Sequence, residues 1–403
     1  MDKARSGQII IAGAGIAGLT AALAFASRGF SVEIFERSAT LQQVGVGLQL
    51  SPNATRILNR LGVLDHLSAK AVQPRAVVLR DARSLNDLAH VPLGDMAEQR
   101  WGAPYLVAHR ADLQAALLDA VSRQAAIRLI TGATVRNVTP RSGCVCVTVD
   151  IDGEGEQMTG SLLIGADGVW SGLRGLAGGH RQSRFSGEIA WRLLVQRDSI
   201  HGRMLAMLGA TDAVIAFLHP GFHLIASPVR GGGAFNLVAF TRGQRIVDDW
   251  AAKADISELR TALRGTAPAL KSLGESEEPW TAWPVHTVDA TTPWTASGLA
   301  LIGDAAHAMT PFAAQGAAMA IEDAETLGHF VATSKAGLPA SLAAWEAWRR
   351  PRVRQVARRG AFNHFAWHAA GPVAMARNLV LKTRRPEALA ADLDWLYGWE
   401  PSL

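Results

Sequence analysis

The stretch Gly13-Ala14-Gly15-Ile16-Ala17-Gly18 follows directly on the apolar run Gln8–Ala12 and opens a helical pattern that reaches about Arg28. Strand, glycine turn and helix start, in that order, make the GxGxxG fingerprint of dinucleotide binding. Gly13 takes the tight turn, Gly15 lets backbone approach a pyrophosphate, and Gly18 lets the helix lie against the strand. The helix N-terminus turns unpaired N–H groups and a positive dipole end toward the phosphates. Gly29 stops the helix. A second strand, Ser31–Phe35, ends in Glu36, about 20 residues past the glycines, where a carboxylate can accept from an adenosine ribose hydroxyl. A dinucleotide is therefore expected at the start of the chain, with Ala17 and Arg37 also among its contacts.

The 403 residues suffice for two domains or one large domain with an insertion. Hydrophobic residues make up 49% and charged residues 19%, a balance ordinary for a compact enzyme. The net charge of +5 is carried mostly by Arg, whose planar fork suits phosphates and carboxylates. That favours anionic small ligands over nucleic acid, for which no motif is present. Cys144 and Cys146 alternate with Val145 and Val147, so both thiols face one side of a strand as core residues; no metal site is expected. No disulfide framework can form, which fits a reducing cytoplasm. No segment approaches the ~18 apolar residues of a membrane span, and no signal-peptide core precedes the first strand. A cytoplasmic monomer or homodimer without membrane association is expected.

Along the chain, Gly45 and Gly47 and a Pro-Asn turn lead into a helix that reaches Gly62, with Asn53 as its N-cap. Two short strands flank a polar turn between Ala76 and Pro92, and a helix opens at His109-Arg110. Ile127–Leu129, Ala133–Val138, Cys144–Val149 and Leu162–Ile164 read as strands. From about Phe185 the character changes to strand-like runs separated by turns: Ile189–Val195, Met204–Leu208, Ala213–Leu218, His223–Val229 and Phe235–Thr241. These make a mostly antiparallel sheet, read as a substrate-binding layer. The strand Leu299–Ile302 runs into Gly303-Asp304, and a long helix begins near Gly316. The basic stretch Arg349–Arg359 reads as a solvated helix face.

Two further signatures accompany the glycine turn. Asp167-Gly168-Val169-Trp170-Ser171 with Arg174 resembles the DG motif of single-component FAD-dependent aromatic hydroxylases, and Gly303-Asp304-Ala305-Ala306-His307 with Pro311 and Gln315-Gly316 resembles their GD motif. These enzymes share the p-hydroxybenzoate hydroxylase fold, and the three motifs stand here in the family's order. Gly47-Leu48-Gln49-Leu50-Ser51-Pro52-Asn53 is similar to the salicylate hydroxylase and 6-hydroxynicotinate monooxygenase branch. The resemblance implies an α/β fold: a Rossmann-like FAD-binding domain (1–74, 104–180 and 286–345), an interleaved substrate-binding sheet (75–103 and 181–285) and a C-terminal helical segment (346–403).

The resemblance also implies site roles. Asp304 would accept from the ribityl hydroxyls, Arg110 would reach the pyrophosphate, and Asp167-Gly168 would brace FAD. The helix starting at Gln315-Gly316-Ala317 would aim its positive end at the flavin pyrimidine, with Gly47, Gly303 and Gln49 also near the cofactor. Pro311 and Phe312 would line the substrate side, and His307 would be structural. FAD is expected to be non-covalent. The implied reaction is NADH- or NADPH-dependent hydroxylation, by O₂ and through a flavin hydroperoxide, of a hydroxybenzoate- or hydroxypyridine-like ring.

His223 is the candidate base, on one strand face with Ile225 and Ser227. Ser227 stands where the family pattern carries Tyr, so phenol activation of the usual kind and a structural His223 both stay open. Trp191 and Arg192 are substrate-side candidates that point to opposite faces; Arg192 suits a carboxylate clamp or an interface salt bridge. A same-fold enzyme for a larger polycyclic or antibiotic substrate, or a flavin-binding protein without oxygenase activity, remains an alternative. The WxWxIP stretch of flavin halogenases and the second glycine fingerprint of disulfide reductases are absent.

Overall fold

Ile9-Ile10-Ile11 leaves no polar face, and a strand with that pattern needs cover on both sides. In the computed structural model, which describes residues 7–41, 47–178, 182–243 and 255–401, this strand lies inside a six-stranded sheet. Gly45 and Met1–Arg5 fall outside the described residues. The sheet order is Thr295–Ala296, Leu299–Leu301, Leu162–Gly165, Gln8–Ala12, Ser31–Glu36, Ile127–Thr131. Its pairings are parallel apart from the Thr295–Ala296 edge. The helix Ile16–Ala26 is buried along nearly its whole length and packs on the helix Gly316–Thr333. Gly303 fits between them: a Cβ there would meet Ala320 Cβ at 3.0 Å and Ala17 Cβ at 3.3 Å.

A seven-stranded sheet forms the second layer, in the order Thr281–Thr287, Arg184–Gln196, Ala234–Arg242, Phe222–Val229, Ala213–His219, Ala76–Asp81, Asp87–Pro92. It is antiparallel except where Ala76–Asp81 pairs with Ala213–His219. Period-two alternation sorts its two faces. Leu224, Ala226, Phe217, Phe235, Leu237 and Trp191 enter one apolar core, which leaves His223, Ile225 and Ser227 on the opposite face, toward the first sheet. A ribbon of Gly47–Leu50 with Leu106–His109 bridges the layers, and four helices between Leu338 and Tyr397 close the chain.

Several local expectations need correction. Met204–Leu208 is not a strand: Ile200–Met207 is a helix, with Ser199 as N-cap accepting from the Gly202 N–H at 3.0 Å. The cap of the helix Pro52–Arg60 is Ser51, not Asn53. Asn53 is the buried second residue of the helix, where its side chain serves a polar network described below. Arg349 and Arg352 are buried, not solvated, because Glu322 and Asp323 on the neighbouring helix neutralise them. Cys146 is buried but Cys144 is only partly so. Among the described residues no helix is long and apolar enough to cross a membrane.

Candidate active site

The parallel strands deliver their motif loops to one edge, the carboxyl edge where open α/β sheets bind ligands. Gly13 has φ 107°, and a Cβ there would lie 2.5 Å from the Ala166 carbonyl oxygen. A Cβ on Gly18 would lie 1.9 Å from the Gly13 oxygen. Both positions admit only glycine, for reasons internal to the protein. Gly15, Gly168 and Gly316 differ: each lines the cavity, and a Cβ on any of them would meet nothing within 4 Å. Their open space is a cradle for a ligand approaching backbone. Glu36 accepts from the Ala14 N–H at 2.8 Å and the Ser38 N–H at 2.9 Å, which fixes the turn and leaves each carboxylate oxygen one further lone pair.

The two later motifs are stapled together. Arg174 is buried; its Nε donates to the Ala305 carbonyl at 2.8 Å and its guanidinium to the Val169 carbonyl at 2.9 Å. Asp167 accepts from the Gly172 N–H at 2.9 Å through one oxygen, while the other is buried without a hydrogen-bond partner. Asp304 projects into the cavity from the loop after Leu299–Leu301. Ala314, at φ 52°, takes the left-handed turn that aims the N-terminus of Gly316–Thr333 at the cavity. Behind this loop lies a buried polar network. Asp323 accepts from the Gly303 N–H at 2.9 Å, from Arg349 at 2.8 Å, and pairs with His307 Nε2 at 2.6 Å. Burial pushes the Asp323 carboxyl up, but His307 and Arg349 outweigh it and hold the pKa at about 2. Glu322 binds Arg349, Arg352 and the Asn53 amide, and Gln315 joins through Asn53 and Ser51.

Between the layers runs a cavity of about 300 Å³. Gly15, Ala17, Arg110, Asp304 and Gly316 line one side, and Arg192, Ile225, Ser227, Val238 and Phe240 the other. A second cavity of about 180 Å³ shares Arg110, Arg192, Asp304 and Pro311 and extends to Trp170 and Trp283. Arg192 sits 4.7 Å over the Trp283 ring. Its Nε is buried with no hydrogen-bond partner, and burial together with Arg110 lowers its pKa to about 10. Gln49 lines the cavity and accepts from the Tyr105 hydroxyl at 2.5 Å, and Asn236 accepts from the Gly47 N–H at 3.0 Å.

The structure therefore gathers Gly15, Ala17, Gly47, Gln49, Arg110, Gly168, Arg192, Ser227, Asp304, Pro311, Gly316 and Ala317 at one cavity, with Gly13, Gly18, Glu36, Asp167, Gly303 and Gln315 shaping its loops. Four expected contacts, Trp191, Arg37, His223 and Phe312, do not line the cavity. Trp191 faces the other side of its strand, in the apolar core, with its indole N–H donating to Thr241 at 2.9 Å. Arg37 is exposed and outside the cavity. His223 shares the face of Ile225 and Ser227 but does not line the cavity, because its ring is packed against Phe240, Phe312 and Trp367. Phe312 is likewise buried in this wall. His223 Nδ1 lies 2.7 Å from His368 Nε2, and His364 Nε2 lies 3.0 Å from Glu188. Burial, then His368 and His364, lowers the His223 pKa well below the usual imidazole value; burial, His364 and Arg242 push His368 down to about 3. Sequence reasoning does not single out the ion network or the cavity walls Val238 and Phe240. Acids inside the apolar run Gly316–Leu327 are the one signal it offers for the network.

Comparison with known proteins places the chain in a family. Residues 6–360 match the family model described as FAD binding domain. A 3-hydroxybenzoate 6-hydroxylase of Polaromonas naphthalenivorans is 31% identical over 395 residues, covering 97% of this chain and 96% of that one. A 6-hydroxynicotinate 3-monooxygenase of Pseudomonas fluorescens is 30% identical, covering 88% and 90%. A crystal structure of Klebsiella pneumoniae HpxO, in a single-substitution form complexed with FAD, superposes with a TM-score of 0.81 at 26% identity, covering 96% and 97%. The chain belongs to the FAD binding domain family.

Proposed function

We propose that the protein is an FAD-dependent monooxygenase that uses NADH or NADPH and O₂ to hydroxylate a small aromatic ring bearing a carboxylate, as its hydroxybenzoate and hydroxynicotinate relatives do. The residues fit FAD: the open glycine cradle, Glu36 and Asp304 match its pyrophosphate and polyol chemistry. When bound, FAD supplies hydride acceptance and O₂ activation. The chain's own task is to hold the ring, align it and exclude water.

The observation that carries the substrate class is Arg192. A guanidinium with a buried, unpartnered Nε beside a second arginine is costly in the absence of an anion. A carboxylate facing Arg192 would satisfy it through paired N–H donors and Arg110, also at this cavity, would add favourable charge, while Ile225, Val238, Phe240 and Pro311 offer an apolar slot for the ring. His223 does not reach the cavity as a base, so it acts as a positioning residue through Phe240 and Phe312. The ring is then activated by its own electron-donating substituents. This reading assigns 1–74, 104–180 and 286–345 to the cofactor and 75–103 and 181–285 to the substrate.

The test is a screen of hydroxybenzoates, hydroxypyridine carboxylates and their neutral counterparts for stimulated NADH or NADPH oxidation, with product trapping. Carboxylates should stimulate, and Arg192→Met should raise their KM about 10- to 100-fold, a loss of roughly 1.5–3 kcal/mol, with FAD content unchanged. Equal stimulation by neutral phenols, or an unchanged KM, would overturn the carboxylate assignment.

A further inference from the structure

We propose that Glu188, His364 and His368 form a binding site for a zinc-class divalent cation. Nothing in the proposed reaction uses these residues. His364 and His368 stand four positions apart at the end of the helix Leu338–Trp367, so both rings project from one face. Glu188 reaches them from the strand Arg184–Gln196 of the substrate sheet. One ligand atom from each of the three lies within 4.8 Å of the other two, and Glu188 Oε1 is 3.0 Å from His364 Nε2. Zinc bonds of ~2.0–2.1 Å set tetrahedral ligand atoms ~3.4 Å apart. Small side-chain rotations close the remaining gap.

The second observation is an orphaned acceptor. Glu188 is 6% exposed, and its Oε2 is buried with no hydrogen-bond partner. A buried carboxylate oxygen with no donor for its lone pairs is costly, and a cation held between the carboxylate and the two imidazoles offsets that cost. His223 orients the His368 ring through the 2.7 Å contact between their nitrogens, as supporting groups do around ligating imidazoles. Arg242, on the strand Ala234–Arg242, acts on His368 and counts against a dication; the Glu188 carboxylate counts for one. Two nitrogens and one carboxylate select zinc, cobalt or nickel over magnesium or calcium, which prefer all-oxygen sites. A bound ion would tie the end of the long helix to the substrate sheet. It would do so behind Phe312, whose ring lies 4.6 Å from His364 and 5.5 Å from His223. Its role is to brace the aromatic wall of the cavity.

The experiment is a calorimetric titration of chelator-treated, FAD-loaded protein with zinc chloride. One site is expected, weakened about 10- to 100-fold in Glu188→Gln and in His364→Ala, with flavin absorbance retained. His66→Ala, which removes a surface histidine paired with Asp119, should leave it unchanged. Cobalt(II) added to the wild-type protein gives a readout that needs no variant: intense visible absorption marks a low-coordinate site with imidazole ligands. No binding, affinity unaffected by either substitution, or the weak absorption of an octahedral hydrated cobalt ion would each overturn the proposal.

Discussion

The two walls of the cavity are built by different means. The nucleotide-side wall is mostly backbone: glycine turns, helix N-termini and carbonyls held by Arg174, with few side chains entering the space. The substrate-side wall is mostly side chains carried on alternating strand positions, where Arg192, Ile225 and Ser227 enter and Trp191 turns away. Backbone walls depend on local sequence rules and on what stands behind them. Side-chain walls depend on which face the whole sheet turns inward. The first kind is therefore rigid and general, and the second can change its ligand by single substitutions.

The comparison breaks most sharply at its support. Arg349→Met should destabilise the protein by about 3–5 kcal/mol, because Glu322 and Asp323 would keep their charge without their buried partner. Denaturant unfolding followed by flavin release measures it, and a loss under about 1 kcal/mol would show that the nucleotide-side wall stands without the network. Gly18→Ala should cost roughly 3 kcal/mol, since the new Cβ would meet the Gly13 oxygen at 1.9 Å. Folded protein with normal FAD content would contradict that.

Asp323 gives the same wall a pH dependence. Its folded-state pKa, about 2, lies below the ordinary carboxyl value of 3.8. A depressed carboxyl contributes stability that is fully present above the unfolded value. About 2 kcal/mol should therefore be lost as pH falls from about 4 to about 2. Comparing wild type with Asp323→Asn across that window isolates it; parallel curves would reassign the acid sensitivity. The smallest expected effect on stability sharpens the comparison instead. Gly15→Ala meets no protein atom, so unfolding of the FAD-free protein should shift by less than about 0.5 kcal/mol while FAD affinity drops. An affinity equal to wild type would remove Gly15 from the cofactor cradle.

What is legible in the sequence follows the same division. Gly13, Gly15, Gly18, Asp167-Gly168 and Gly303-Asp304 announce themselves because turn and close-approach requirements act over a few residues. Trp191 and Arg192 can be placed on opposite faces, but alternation does not say which face is inward; that is decided by Thr241 and the core behind it. Met204–Leu208 reads as a strand because its apolar run is short, although Ser199 carries the capping signal of the helix Ile200–Met207. Arg349 and Arg352 read as solvated because their partners lie some thirty residues away on another helix. The gathering of Glu188, His364 and His368 depends on contacts far apart in sequence, of which only the spacing of the two histidines is visible.

The ion network also bears on how the protein is made. Glu322 and Asp323 leave the ribosome before Arg349 and Arg352, and the Gly303 loop hangs on Asp323. Until the arginines emerge, Glu322 has no countercharge and Asp323 has His307 alone, so the loop that presents Asp304 hangs on an incompletely neutralised pair of acids destined for a fully buried site. Cofactor capture is thus expected late in biosynthesis, once the helix carrying Arg349 and Arg352 is made, rather than at the glycine turn made first. Ribosome-arrested chains ending before Arg349 should fail to retain FAD, and retention by such chains would show that the turn alone suffices.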